Sequence, residues 1–86
     1  MKVIDAQLEH AHAHCTRNEV ELQLSQEAGC FYCLAIFPAA TVTDFLQIER
    51  TAICPECMID SVIGDASGLP ITGEFLQRMH DYWFES

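Results

Sequence analysis

The sequence predicts a small α+β domain in which a β-hairpin and a short helix surround four cysteines, flanked by an N-terminal and a C-terminal α-helix. Three observations carry this. Cys30, Cys33, Cys54 and Cys57 form two CxxC pairs with 20 residues between them. The intervening stretch is rich in β-branched and aromatic residues, which favour strands. The segments before and after carry apolar residues at helical spacing.

At 86 residues the chain allows one domain. A domain of this size buries a modest share of its surface, and a metal, a disulfide or a partner is a common supplement. Residues 1–15 read as a histidine-containing, solvated N-terminal segment, and residues 16–86 as the domain itself. His10, His12 and His14 alternate, so an extended chain would put them on one face, whereas a helix would pair His10 with His14. This allows two readings. Either the segment collects transition metals adventitiously, or His12 or His14, assisted by Cys15, forms a second metal site.

Thr16-Arg17-Asn18-Glu19 fits the S/T-x-x-E capping box. With Val20, Leu24 and Ala28 as an apolar stripe and Gly29 as the C′ residue, this predicts a helix over about 17–28. Thr41–Ile48 and Thr51–Ile53 predict two strands of a hairpin turning near Glu49-Arg50. Met58–Ile63, stopped by Gly64, predicts a short helix. Thr72 as N-cap, with Glu74 in the first turn and Phe75, Leu76, Met79, Tyr82 and Trp83 on one side, predicts a last helix ending near Phe84.

Thirteen acidic residues face four basic ones, for a formal net charge of −9. Lys2, Arg17, Arg50 and Arg78 are scattered, which argues against nucleic acid and against anionic membranes as partners. No apolar h-region follows Met1, and no run of eighteen apolar residues occurs, so the expected location is the cytoplasm. Thiols stay reduced there, and paired cysteines read as metal ligands or redox pairs.

The C-x2-C-x20-C-x2-C spacing is that of a zinc site. Two residues between cysteines let one tight turn aim both sulfurs at a point, and two such turns complete a tetrahedron. Four thiolates leave no coordination position for water, so the expected cofactor is one structural Zn²⁺ held by Cys30, Cys33, Cys54 and Cys57. A rubredoxin-like iron site is the competitor. Its turns carry glycine after the second cysteine, where this chain has Leu34 and Met58. A thioredoxin-type redox pair would need a βαβ unit, for which the chain is too short.

A CxxC turn, a hairpin and a second CxxC leading into a helix is the order of parts in a treble-clef zinc finger. The competing arrangement is a zinc ribbon, with both pairs on hairpin turns. The stretch from Gly29 to Phe84 also resembles a family of small uncharacterised bacterial cytoplasmic proteins with a treble-clef or zinc-ribbon-like CxxC...CxxC core. The resemblance is carried by Cys30-Phe31-Tyr32-Cys33, Ile36-Phe37-Pro38 and Thr51-Ala52-Ile53-Cys54-Pro55 with Cys57. It continues through Ile59-Asp60-Ser61-Val62-Ile63-Gly64, Ser67-Gly68, Pro70-Ile71-Thr72, Met79-His80 and Tyr82-Trp83-Phe84. It implies fold and metal but no reaction, because that family has no assigned activity. Met58 stands where the resemblance implies glycine.

HNH-type nucleases share the treble clef but need a histidine on the hairpin, and none lies between Cys33 and Cys54. Asp60 and Ser61 lack a neighbouring base in sequence, and Asp60 reads as a cap or as an acceptor orienting a ligand. His80 reads as a half-exposed polar-face residue. Phe75, Tyr82, Trp83 and Phe84 read as core, or alternatively as an aromatic anchor for a partner. The expectation is therefore a zinc-stabilised, non-enzymatic module that contacts another protein or itself. The alternative is a thiol-redox or metal-dependent enzyme, or a metal sensor, using the N-terminal histidines and Cys15.

Overall fold

The structure, a computed structural model, describes residues 4–84. Helix α1 (Ala6–His12) continues through a 3-10 turn (Ala13–Cys15), and α2 (Glu19–Gln23) follows. Strands β1 (Glu27–Cys30) and β2 (Ile36–Pro38) come next. A second hairpin is formed by β3 (Phe45–Leu46) and β4 (Thr51–Ala52), and the chain ends with β5 (Val62–Gly64) and α3 (Gly73–Trp83). The three-stranded antiparallel sheet has the order β2-β1-β5, and β3-β4 stand apart from it.

Alternation along β1 and β5 separates the core into two parts, because successive side chains point to opposite sides of a sheet. Ala28, Cys30 and Val62 join Leu22, Phe37, Val42, Ala52 and Cys54 in one cluster. Phe31 and Ile63 join Leu8, Ala11, Cys15, Phe75, Leu76 and Met79 in the other. The sheet thus lies between α1 and α3 on one face and α2 with the second hairpin on the other. Gly29 belongs to this packing: an added Cβ would meet Leu76 Cδ1 at 2.8 Å. Its role is close approach of the helix, not termination of one.

The C-terminal helix forms as its sequence predicts. The Thr72 side chain accepts from the Phe75 amide, and Phe75, Leu76 and Met79 are buried. Its far end clamps α1: Tyr82 donates to Glu9 Oε2 at 2.6 Å, and Trp83 Nε1 donates to the Leu8 carbonyl at 3.3 Å. The second hairpin forms with shorter strands than the expected Thr41–Ile48 and Thr51–Ile53: Phe45 pairs with Ala52 and Leu46 with Thr51, Thr41 lies in a 3-10 turn, and Arg50 (φ 53°) takes the turn.

Four expectations fail. The helix over 17–28 shrinks to Glu19–Gln23, and the capping box is not made. The Thr16 hydroxyl meets that of Thr51 at 3.2 Å, and Arg17 (φ 51°) donates its amide to Thr51, so this segment bends onto β4 instead. The Asp65 carboxylate accepts from the Gln26 and Glu27 amides and starts a strand where the helix should continue. Val20 and Leu24 are consequently exposed, at 66% and 74%. The helix over 58–63 is absent: Val62–Gly64 is the strand β5, paired with Cys30, Gly29 and Ala28. A short, fully buried apolar run has no periodicity to separate the two states, and pairing with β1 decided it. The treble-clef order of parts fails at that helix. Finally, the solvated N-terminal segment is instead α1, with Leu8, Ala11 and Cys15 in the core. Met1–Val3, Glu85 and Ser86 lie outside the described residues.

Candidate metal centre

The two CxxC turns are built alike. In the first, the Cys30 amide donates to the Ala35 carbonyl at 3.0 Å, the Leu34 amide to the Cys30 carbonyl at 2.8 Å, and the Tyr32 amide to Cys30 Sγ at 3.4 Å. In the second, the Cys54 amide donates to the Ile59 carbonyl and the Met58 amide to the Cys54 carbonyl, both at 3.0 Å. The Glu56 and Cys57 amides reach Cys54 Sγ at 3.3 and 3.4 Å. Leu34 and Met58 both sit at φ 69°, the left-handed region that glycine occupies most easily. The two residues that depart from the glycine pattern therefore keep its backbone geometry.

The turns face each other. Cys30 Sγ lies 3.7 Å from Cys57 Sγ, and Cys33 Sγ lies 3.7 Å from Cys54 Sγ. All four sulfurs fall within 4.8 Å of one another. Sulfurs bound at about 2.3 Å around a tetrahedral zinc stand about 3.8 Å apart, while a disulfide needs about 2.0 Å. The donor set thus fits a four-thiolate ion, and all five cysteines are free thiols. Cys30 and Cys54 are buried, Cys57 is partly buried and Cys33 is exposed.

Burial pushes the Cys30 thiol well above its usual range, against the opposing amides of Cys33 and Tyr32 and the Ser61 hydroxyl. Burial raises Cys57 as well. Burial also acts upward on Cys54, but the amides of Cys57 and Glu56 and the neighbouring thiols outweigh it and hold Cys54 below its usual value. The second turn itself thus favours a Cys54 thiolate, and a bound cation would offset the burial that disfavours the thiolates of Cys30 and Cys57.

Around the sulfurs, Ser61 rather than Asp60 takes the orienting position, with its Oγ 3.7 Å from Cys30 Sγ. Asn18, which the sequence marks only as part of a capping box, is buried and joins the segments that flank the second turn. Its Oδ1 accepts from the Ala52 amide at 2.9 Å. Its Nδ2 donates to the Val62 carbonyl at 2.8 Å and to the His14 carbonyl at 3.0 Å. The sequence carries no signal for this role, because the capping motif there predicts a helix over about 17–28 instead.

His12 and Cys15 line one cleft, but among the described residues no group of three metal-ligating side chains includes them. His14 Nδ1 is 3.0 Å from Glu21 Oε1, the His10 and His14 rings meet edge-on, and His12 lies 4.2 Å from the Trp83 ring. Among the described residues the four-cysteine group alone brings three or more metal-ligating side chains together. Cys15 is buried, and burial followed by the Asp60 charge pushes its thiol up to about 11. That is the opposite of an activated nucleophile. His80, half-buried, holds Nδ1 3.1 Å from the Phe31 carbonyl.

This is a small α+β chain with a four-cysteine, metal-capable centre. Compared with protein families, curated proteins and solved structures, it matches none. No described helix is long and apolar enough to cross a membrane.

Proposed function

We propose that Cys30, Cys33, Cys54 and Cys57 hold one structural Zn²⁺, and that the chain is a non-catalytic, zinc-stabilised module of 16–86 with α1 packed on it, acting by contact with another protein in the cytoplasm. The observation that carries the metal reading is the sulfur geometry: contacts of 3.7 Å between two matched turns. Each turn leads into a strand, β2 or β5, which supports a zinc-ribbon-like arrangement over a treble clef. The resemblance carried by the motifs from Gly29 to Phe84 supports the metal reading. The protein-contact role is supported by exposed aromatic side chains beside the centre and by the closed character of a four-thiolate site, which offers no position for substrate.

Structural zinc contributes roughly 10–16 kcal/mol of apparent binding energy in small peptides, against a net domain stability of about 5 kcal/mol. Removing the ion with a chelator at neutral pH should therefore abolish the near-UV circular dichroism of the aromatic core. An unchanged spectrum after verified zinc loss would contradict the proposal.

A further inference from the structure

Next to the metal centre lies an open cleft of about 390 Å³, walled by His12, Phe31, Ile59, Asp60, Ser61 and Phe84. Its aromatic side is continuous. Phe31 and Phe84 have ring centroids 5.8 Å apart, and Tyr32 meets Phe84 edge-on at 5.0 Å. Tyr32 and Phe84 are each 45% exposed, so the rings extend beyond the cleft mouth as an apolar rim. Asp60 lines the same cleft, is exposed, and among the described residues has no ion-pair partner. The carboxylates of Asp5, Glu19 and Glu21 are instead held by Arg78, Arg50 and His14.

We propose that this cleft binds an arginine side chain presented by a partner protein. The proposal rests on the reading of the chain as a protein-contact module and specifies what that contact recognises. A carboxylate sharing a cleft with the exposed Phe84 ring selects a cation, and a net charge of −9 attracts one. A planar guanidinium can stack on a ring while pairing with Asp60, which an ammonium cannot do as well. Tyr32 packs on Phe84 without lining the cleft, so an arginine flanked by apolar neighbours covers more of this rim than an isolated one. A second copy of this chain is a poor source, because two strongly acidic chains repel.

The cleft is also tied to the metal centre. The Phe31 amide donates to the Ser61 carbonyl at 3.0 Å, and Ser61 Oγ touches Cys30 Sγ. Phe31 itself lies inside the first CxxC turn.

The test is an NMR titration of the ¹⁵N-labelled, zinc-loaded full chain with acetyl-leucyl-arginyl-leucine amide. Saturable shifts at the amides of Phe31, Asp60 and Phe84 are expected. The norleucine analogue should bind about tenfold more weakly, and Asp60→Asn should weaken the arginine peptide about fivefold. Shifts centred elsewhere, equal binding of the norleucine analogue, or a chain that dimerises through this face would overturn the proposal. So would N-acetylarginine amide binding as tightly as the peptide, which would make the ligand a small cation. Native mass spectrometry on the same sample keeps the two readings apart. A chain carrying one zinc without an arginine response sinks the cleft alone, whereas a folded chain without zinc sinks the module.

Discussion

Leu34 and Met58 share one backbone state: each comes directly after the second cysteine of its turn, each has φ 69°, and each donates its amide to the carbonyl of that turn's first cysteine. A left-handed conformation costs a residue with a side chain roughly 1–2 kcal/mol. Both turns accept that cost, but the two side chains have different surroundings. Leu34 packs against the cluster containing Phe31 and Leu76, whereas Met58 is 68% exposed.

Met58→Gly should therefore raise stability by about 0.5–1 kcal/mol, the conformational relief less the added freedom of the unfolded chain. Leu34→Gly should gain nothing or lose, because it also gives up buried contacts. Urea unfolding of the two zinc-loaded variants checks the pair. Equal gains in both would mean that Leu34 packing is worth nothing.

Asn18→Ala removes the partners of the Ala52 amide and the Val62 and His14 carbonyls together. Buried groups left unsatisfied cost about 1–3 kcal/mol each, so a loss of about 3 kcal/mol or more is expected. Because Ala52 and Val62 flank the second turn, metal affinity should fall too. Competition with a chromophoric chelator measures it. Leu76→Ala, which destabilises from the far side of the sheet, should leave the cobalt-thiolate absorption of the substituted protein unchanged, whereas Asn18→Ala should alter it.

Ser61→Ala deletes the hydroxyl that touches Cys30 Sγ. Groups that orient metal ligands are worth about 10–100-fold in affinity, and a neutral hydroxyl on one sulfur of four belongs at the low end, about tenfold. Asp60→Asn should leave zinc affinity unchanged. The same chelator competition reads both.

Cys15 gives a signed pH dependence. Its folded thiol titrates at about 11 against an ordinary value of 9.0. The fold favours the neutral form, so this stability is complete below pH 9 and is lost as pH rises towards 11. Two units correspond to about 3 kcal/mol at most. Cys15→Ala should remove that part of the alkaline decline, at a small constant cost for the lost sulfur. Unfolding midpoints from pH 8 to 11 for both proteins provide the check; parallel declines would contradict it.

The parts of the molecule that are readable from sequence are those whose signals are local. Thr72 caps α3 because a hydroxyl there can reach the Phe75 amide, and the two CxxC spacings make their own turns. Helix α1 carries equally local signals. Asp5 caps it through the Gln7 and Leu8 amides, and Leu8, Ala11 and Cys15 recur at helical spacing, but the alternating histidines overlie that pattern with one that also suits an extended chain. The misleading segments are those ruled by contacts distant in sequence. Thr51 captures Arg17 and unmakes a capping box, Asp65 starts β1, and β1 claims Val62–Gly64 as a strand. The cleft beside Asp60 and the bridging by Asn18 depend on segments that meet only after folding.

Zinc K-edge X-ray absorption on the purified chain addresses the four-sulfur centre most directly. The expected result is one zinc per chain with four sulfur neighbours at about 2.3 Å and no nitrogen or oxygen in the first shell. Mixed sulfur and nitrogen ligation, or a folded chain without metal and with its CxxC thiols joined as disulfides, would contradict it.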